Sequence, residues 1–234
     1  MLGLFITGTS TGVGKTHVGA LIARALVKQG YRVGVYKPIA SGCRRDSGEL
    51  VADDAVRIWE AAGRPGTLAE VCPQRFAAPV SPPLAAQFAG SVVDPQLLRT
   101  GLEVWQERSD IVLVEGAGGL MSPLSEVDYN ANLAEDFGFP LVVVAANELG
   151  TINATLQTLI TAKYVAPRLP IAGVILNRLS LLPDDESTST NAAEIVRRGN
   201  VPLLATVTYG QQELRADVDW YELARRLSHG EEHR

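Results

Sequence analysis

Gly8-Thr-Ser-Thr-Gly-Val-Gly14-Lys15-Thr16 lies between an apolar run, Leu2–Ile6, and a helical pattern that opens at Thr16. A glycine-rich turn in that setting aims successive backbone N–H groups inward, and the following helix adds its unpaired N-terminal donors and the positive end of its dipole. Lys15 can then reach β/γ-phosphate oxygens, and the Thr16 hydroxyl can ligate Mg²⁺. The strict motif has four residues between its first Gly and the Gly-Lys pair. Gly8 and Gly14 enclose five, with Thr9 at the strict first position. The chemistry implied is that of a nucleoside triphosphate, ATP first.

Two further segments carry charge where such chemistry needs it. Ile111–Val114 reads as a buried strand that delivers Glu115 to the glycines of Gly116-Ala-Gly-Gly119, the place where phosphate-loop enzymes put an acidic group for the metal. Mg²⁺ takes hard oxygen ligands and keeps some waters, so Thr16 with one or two carboxylates is sufficient. Asp53 and Asp54 open another helical pattern, where carboxylates also act as caps, and position alone does not choose between them. Lys37 follows an apolar run directly and precedes Pro38, which restricts its backbone. Two ammonium groups at one edge, Lys15 and Lys37, would repel unless an anion lay between them, and a transferring phosphoryl group has that charge. Ser41 and Gly42 then offer a hydroxyl and backbone donors to a second substrate. The three histidines, His17, His229 and His233, pair with no evident Ser or Cys nucleophile, so neither a hydrolase triad nor zinc chemistry is supported.

Positioning these groups requires a sheet. Continuous Val/Ile-rich runs at Leu2–Ile6, Arg32–Tyr36, Ile111–Val114, Leu141–Ala145, Ile171–Leu176 and Leu203–Val207 suit strands buried on both faces. Helical patterns at Thr16–Gln29, Asp53–Ala62, Pro95–Arg108, Asn130–Phe137, Ile152–Ala166 and Thr190–Arg198 alternate with them. The expected fold is α/β: a doubly wound, mostly parallel sheet with helices on both faces, of the P-loop NTPase type. It should form one domain over residues 1–234, with a polar tail from about 228. In such sheets ligands sit at the carboxyl ends of strands. Gly8–Thr16, Lys37, Glu115, Asn147 and Asn177 each follow a run, as that rule requires. Residues 73–91, with Pro79, Pro82 and Pro83, read as a long loop holding one short helix.

A formal charge of −5 and a pI near 5.3 argue against general attraction to nucleic acid or an acidic membrane. Cys43 and Cys72 are too far apart in sequence for metal-ligand spacing, and they suggest reduced thiols and a cytoplasmic setting. The opening residues lack the pattern of an export signal, and no apolar run reaches the ~20 residues that a membrane helix needs.

The stretched loop Gly8–Thr16, Lys37-Pro-Ile-Ala-Ser-Gly42, Asp54-Ala55, Glu115-Gly-Ala-Gly-Gly119 with Pro123-Leu124, and Leu149-Gly-Thr-Ile-Asn153 together resemble the dethiobiotin synthetase family, from about Leu2 to Val207. The resemblance implies an ATP- and Mg²⁺-dependent cyclo-ligase that joins CO₂ to 7,8-diaminononanoate through a carbamate and its mixed anhydride with phosphate. It implies Lys37 and Lys15 as catalytic groups, and Thr16, Asp54 and Glu115 as Mg²⁺ ligands. ATP would meet Gly12, Val13, Gly14, Lys15, Thr16, His17, Asp54, Glu115, Gly116, Ala117 and Gly118, with Asn177, Arg178, Pro202, Leu203 and Leu204 around the base. The diamine would meet Thr11, Ser41, Gly118 and Gly119, and its carboxylate the helix start Gly150, Thr151 and Asn153 of a second subunit, making a homodimer. Gly12 replaces an acidic residue of some members, and Ala154 replaces a His often found after that Asn.

Two other readings share parts of the pattern. A related amide or cobyrinate ligase needs an ammonia source, and no glutaminase-like Cys domain fits this length. A switch ATPase of the ParA/MinD type carries an extra lysine at the start of its loop, where this chain has Thr7-Gly-Thr-Ser.

Overall fold

The computed structural model describes residues 1–181, 186–214 and 218–230. Its centre is a six-stranded parallel sheet of β1 (Gly3–Gly8), β2 (Val33–Tyr36), β7 (Ile111–Gly119), β8 (Leu141–Ala146), β9 (Ile171–Asn177) and β10 (Leu203–Val207), in the order β10-β9-β8-β1-β7-β2. Between them run α1 (Lys15–Lys28), α2 (Asp53–Ala61), α6 (Asn130–Phe137), α7 (Thr151–Val165) and α8 (Glu186–Gly199). All six residues of β1, and all six of β8, are buried. This explains why these strands read as unbroken apolar runs with no alternation. Helix α1 turns Val18, Leu21, Ile22 and Leu26 onto the sheet, each burial being worth roughly 1.5–3 kcal/mol.

The chain leaves β1 toward β2 on one side and later returns to β8 on the other, so β1 marks the point where the winding reverses. Ligand clefts form at the carboxyl ends of strands at such a point. The phosphate loop follows β1, and Lys37 follows β2, held by its N–H donating to Val71 O at 2.8 Å.

Small elements fill the span between β2 and β7: the two-residue strands β3 (Ile39–Ala40) and β6 (Gln74–Arg75), paired in parallel, and the exposed hairpin β4 (Arg44–Asp46) with β5 (Glu49–Val51). Helices α3 (Leu68–Val71), with a Thr67/Glu70 capping box, and α4 (Pro82–Phe88) complete this region. The last of these is the short helix expected within residues 73–91.

Several expectations are corrected. Pro95–Arg108 is not one helix but α5 (Leu97–Thr100) followed by a 3₁₀ turn, Glu103–Trp105. The buried Tyr36 hydroxyl donates to the carbonyls of Leu97 and Leu98, and a Cβ on Gly101 would lie 2.3 Å from that hydroxyl oxygen, so a tertiary contact ends the helix. Strand β7 continues past Glu115 to Gly119, which pairs with Gly8. Helix α8 starts four residues before Thr190. Ser228 ends a further helix, α9 (Trp220–Ser228), capped by Asp219 and fixed by Tyr221 stacking on Tyr31 at 4.2 Å. The rest of the expected tail, residues 231–234 with His233, lies outside the described residues.

Candidate active site

The carboxyl edge of β1, β7 and β2 opens into a cavity of about 630 Å³. Its floor is the phosphate loop. Gly12 and Gly14 have φ of +81° and +90°, a backbone that turns the loop into the mouth of α1 and that only glycine adopts without strain. Lys15, 7% exposed, folds back to donate to Ser10 O at 3.2 Å. Thr16 opens toward β7, where its hydroxyl donates to Glu115 Oε1 at 3.0 Å.

Glu115 Oε1 also accepts from Lys37 Nζ at 2.5 Å, an ion pair sealed from water with Glu115 1% and Lys37 3% exposed. The register of β7 on β1, which sets Glu115 beside Ile6, and of β2 on β7, which sets Tyr36 beside Val114, brings the two together. Asp54 reaches Lys37 Nζ at 3.5 Å from the first turn of α2. Its neighbour Asp53 is occupied elsewhere, accepting from Arg44 Nε at 2.8 Å. Of the two, Asp54 faces the cavity and Asp53 faces the hairpin.

Burial pulls Lys15 below the usual lysine range, with Glu115 opposing and Lys37 adding to the shift. Burial acts the same way on Lys37, but the carboxylates of Glu115 and Asp54 more than reverse it, and this ammonium is held above its ordinary value. Burial works against the Asp54 charge too, yet Lys37, the Thr16 hydroxyl and Lys15 keep this carboxyl below the usual range. The buried Glu115 Oε2 has no hydrogen-bond partner. An orphaned carboxylate oxygen beside a threonine hydroxyl and a second carboxylate suits a small hard cation such as Mg²⁺.

The other expected site residues divide into groups. Thr11, His17, Ser41, Ala117 and Gly118 line the cavity. Gly119 and Thr11 line an adjoining cavity of about 420 Å³, together with Ala154 and Thr158 of α7. Gly116 stands behind them on β7. Val13 O accepts from Asn177 Nδ2 at 3.0 Å, so Asn177 is at the loop, with its Oδ1 buried and unpartnered; the N–H of Arg178 donates to Val207 O.

Pro202, Leu203 and Leu204 are not brought to this edge. Leu203 pairs with Val174 while Val207 pairs with Asn177, which sets the three residues about 10 Å back along the strand, at the sheet's opposite end. The residue beside Asn177 and Arg178 is instead Val207, which Thr208 and Tyr209 follow in the chain. Gly150, Thr151 and Asn153 start α7 but line neither cavity of their own chain.

Arg57 and the segment Pro79–Pro82 line the cavity and were not singled out in the sequence. Arg57 lies three residues after Asp54 on α2, a spacing that shares a helix face and could have flagged it. Pro79 and Pro82 read only as part of the long loop 73–91, whose irregular, proline-rich sequence is the local signal.

A parallel sheet with a glycine loop and lysine at its winding reversal, and a threonine–carboxylate pair beside them, defines a phosphate-loop nucleotide-binding protein. A ParA family ATPase from Chlorobium tepidum shares this fold, with a TM-score of 0.53 and 15% identity over 90% of this chain and 84% of that one. Residues 2–214 match a family described as an AAA domain. ATP-dependent dethiobiotin synthetases from Rhodopirellula baltica and Anaeromyxobacter dehalogenans are 43% and 42% identical, over 87% and 84% of this chain and 82% and 85% of theirs. That of Anoxybacillus flavithermus is 35% identical over 95% of this chain and its own whole length. The chain belongs to the ATP-dependent dethiobiotin synthetase family, whose members are ligases.

Proposed function

We propose that the protein converts 7,8-diaminononanoate, CO₂ and ATP to dethiobiotin, ADP and phosphate. The observation that carries this reading is the convergence of Lys37, Lys15 and Thr16 on one cavity, with Glu115 bonded to Lys37 and Thr16 behind it, an arrangement that offers charge and positioning for phosphoryl transfer. One amine of the diamine attacks CO₂, loses a proton to solvent and becomes a carbamate. A carbamate oxygen attacks the γ-phosphorus, the bond to the bridging oxygen breaks, and ADP leaves. The second amine then attacks the carbamate carbon of the mixed anhydride, phosphate departs, the amine gives up a proton to the departing phosphate or solvent, and the cyclic urea closes.

Lys37 and Lys15 supply positive charge on both sides of the transferring group, the main demand that phosphoryl transfer makes of a protein. Thr16, Asp54 and Glu115 would hold Mg²⁺. Bound there, the ion would neutralise charge on the triphosphate. Thr11 and Ser41 orient the diamine end, and the Gly118–Gly119 backbone walls the reacting carbon. The buried Oδ1 of Asn177 is an acceptor suited to the amino group of adenine, with Val207–Tyr209 as the wall beside it.

The coupled assay is direct: protein, ATP, Mg²⁺, bicarbonate and the diamine, with ADP and the cyclic urea followed by mass spectrometry. ADP release should depend on the diamine and match the urea in amount. Release indifferent to the diamine removes the synthetase reading.

The substrate carboxylate is received, in this reading, by Gly150, Thr151 and Asn153 of a second copy, since a helix N-terminus suits an anion. Support comes from α7, whose Ile160 and Tyr164 are 67% and 86% exposed and continue the outward stripe of Asn153 and Gln157. Mixing Lys37→Ala and Asn153→Ala chains should restore about a quarter of native activity, because random pairing makes half the dimers mixed and each mixed dimer holds one intact site. No recovery would show that each chain completes its own site. Among the described residues no helix is long and apolar enough to cross a membrane. The free, buried Cys43 and Cys72 support a cytoplasmic setting.

A further inference from the structure

The glycine-rich end of β7 and the turn that follows it are tied to one buried side chain. Asn130, the first residue of α6, is fully buried, and its amide reaches four backbone groups of residues 117–122. Its Oδ1 accepts from Ala117 N at 3.1 Å, and its Nδ2 donates to Ala117 O and Gly119 O at 2.7 Å each and to Ser122 O at 3.3 Å. Ser122 Oγ in turn accepts from Gly119 N at 2.8 Å. Gly116 lies so close that a Cβ there would come 2.5 Å from Asn130 Oδ1, and Gly118 holds a φ of +75°.

We infer that Asn130 is the positioning residue that sets the Ala117–Gly119 wall of the reaction cavity. A turn rich in glycine has many accessible backbone states, and by itself it would not hold a fixed wall. The asparagine amide supplies two donor hydrogens and an acceptor oxygen at once, whereas a serine hydroxyl has one hydrogen, an ionised aspartate only accepts and alanine does neither. It acts at a distance from substrate, through the backbone it ties down. The catalytic part of the inference rests on the synthetase reading; the structural part does not.

The test uses Asn130→Asp and Asn130→Ala, with kcat counted per nucleotide-binding site so that unfolded chains drop out. For Asn130→Ala, kcat should fall by about 100-fold while the affinity for ATP, set by the phosphate loop, changes less than about 3-fold. In Asn130→Asp an ionised carboxylate would face three carbonyl oxygens, whereas its protonated form can donate to one of them. The kcat of this variant should therefore rise as pH is lowered, in contrast to the native chain. Variants that lose melting temperature but keep native kcat per site would make Asn130 merely structural and overturn the inference.

Should either variant fail to fold, Gly116→Ala leaves the asparagine in place but drives a methyl against its oxygen, and the same loss of kcat is expected. Native kcat per site in that variant would also overturn the inference. Hydrogen exchange of the Ala117 and Gly119 amides is read independently of turnover. It should quicken at least 10-fold in Asn130→Ala. Unchanged exchange would refute the hold on the turn, even if the native chain proved inactive on the diamine and only the synthetase reading had failed.

Discussion

Lys37→Ala is expected to lower kcat by about 10³-fold while ATP affinity shifts by less than about 3-fold, the size of effect seen when one preorganised charge or donor is taken from a developing anion. Lys37 and Glu115 are sealed together, and Lys15 lines the same cavity as Lys37. Binding of the ground-state nucleotide draws mainly on loop amides, α1 and Lys15. Lys37 is left to meet charge that appears during transfer. Removing one partner of a buried pair also costs about 3–5 kcal/mol of stability, so the variant should melt earlier and must be assayed per folded site.

A pH series separates the two effects. Because its folded pKa is raised, Lys37 contributes stability that is complete below the ordinary lysine value and is lost only as pH climbs through the higher folded value. From about pH 6 to 9 the pair is intact, and the kcat deficit should be flat. Equal losses in kcat and ATP affinity would reduce Lys37 to a binding residue.

Gly14→Ala is expected to weaken ATP binding by more than about 100-fold. Two penalties add. At φ +90° an L-residue pays about 1–2 kcal/mol or more, and the new Cβ would fall 2.0 Å from Asn177 Nδ2, which must then release Val13 O. The loop loses its curvature and the base position loses its asparagine in one change. Gly12→Ala is the control: it shares the positive φ, but its Cβ meets nothing within 4 Å. It should therefore show the backbone penalty alone, about 10-fold. Calorimetric titration with ATP and Mg²⁺ decides the matter, and equal affinities for the two variants would show that the contact with Asn177 carries no weight.

These residues also show where sequence reading stops. The six strands were legible because burial on both faces leaves no polar alternation, and the site was legible because doubly wound sheets gather ligands at one edge. Lys37 directly follows β2, Lys15 and Thr16 close the loop that follows β1, and Glu115 lies in β7 opposite Ile6 near the carboxyl end of β1, so the sheet's carboxyl edge brings them together. Position alone does not separate Asp54 from Asp53, and only the resemblance favours Asp54; the physical difference, the claim of Arg44 on Asp53, is a matter of where a hairpin folds. The break of Pro95–Arg108 was hidden for the same reason: its cause, the Tyr36 hydroxyl, lies some sixty positions away. Pro202–Leu204 come from the resemblance alone; they sit at the start of β10, whereas the residue beside Asn177 is Val207 at its carboxyl end. Asn130 looked like an ordinary helix start, with its partners spread over a turn that has no pattern of its own.

Both carboxylates of the site, Asp54 and Glu115, are already paired with Lys37, while Lys15 and Arg57 hold no carboxylate partner of that kind among the described residues. A bare triphosphate entering there would find its attraction to Lys37 opposed by the carboxylates around it. The same carboxylates favour a nucleotide that arrives with its own divalent counter-ion over one that arrives bare.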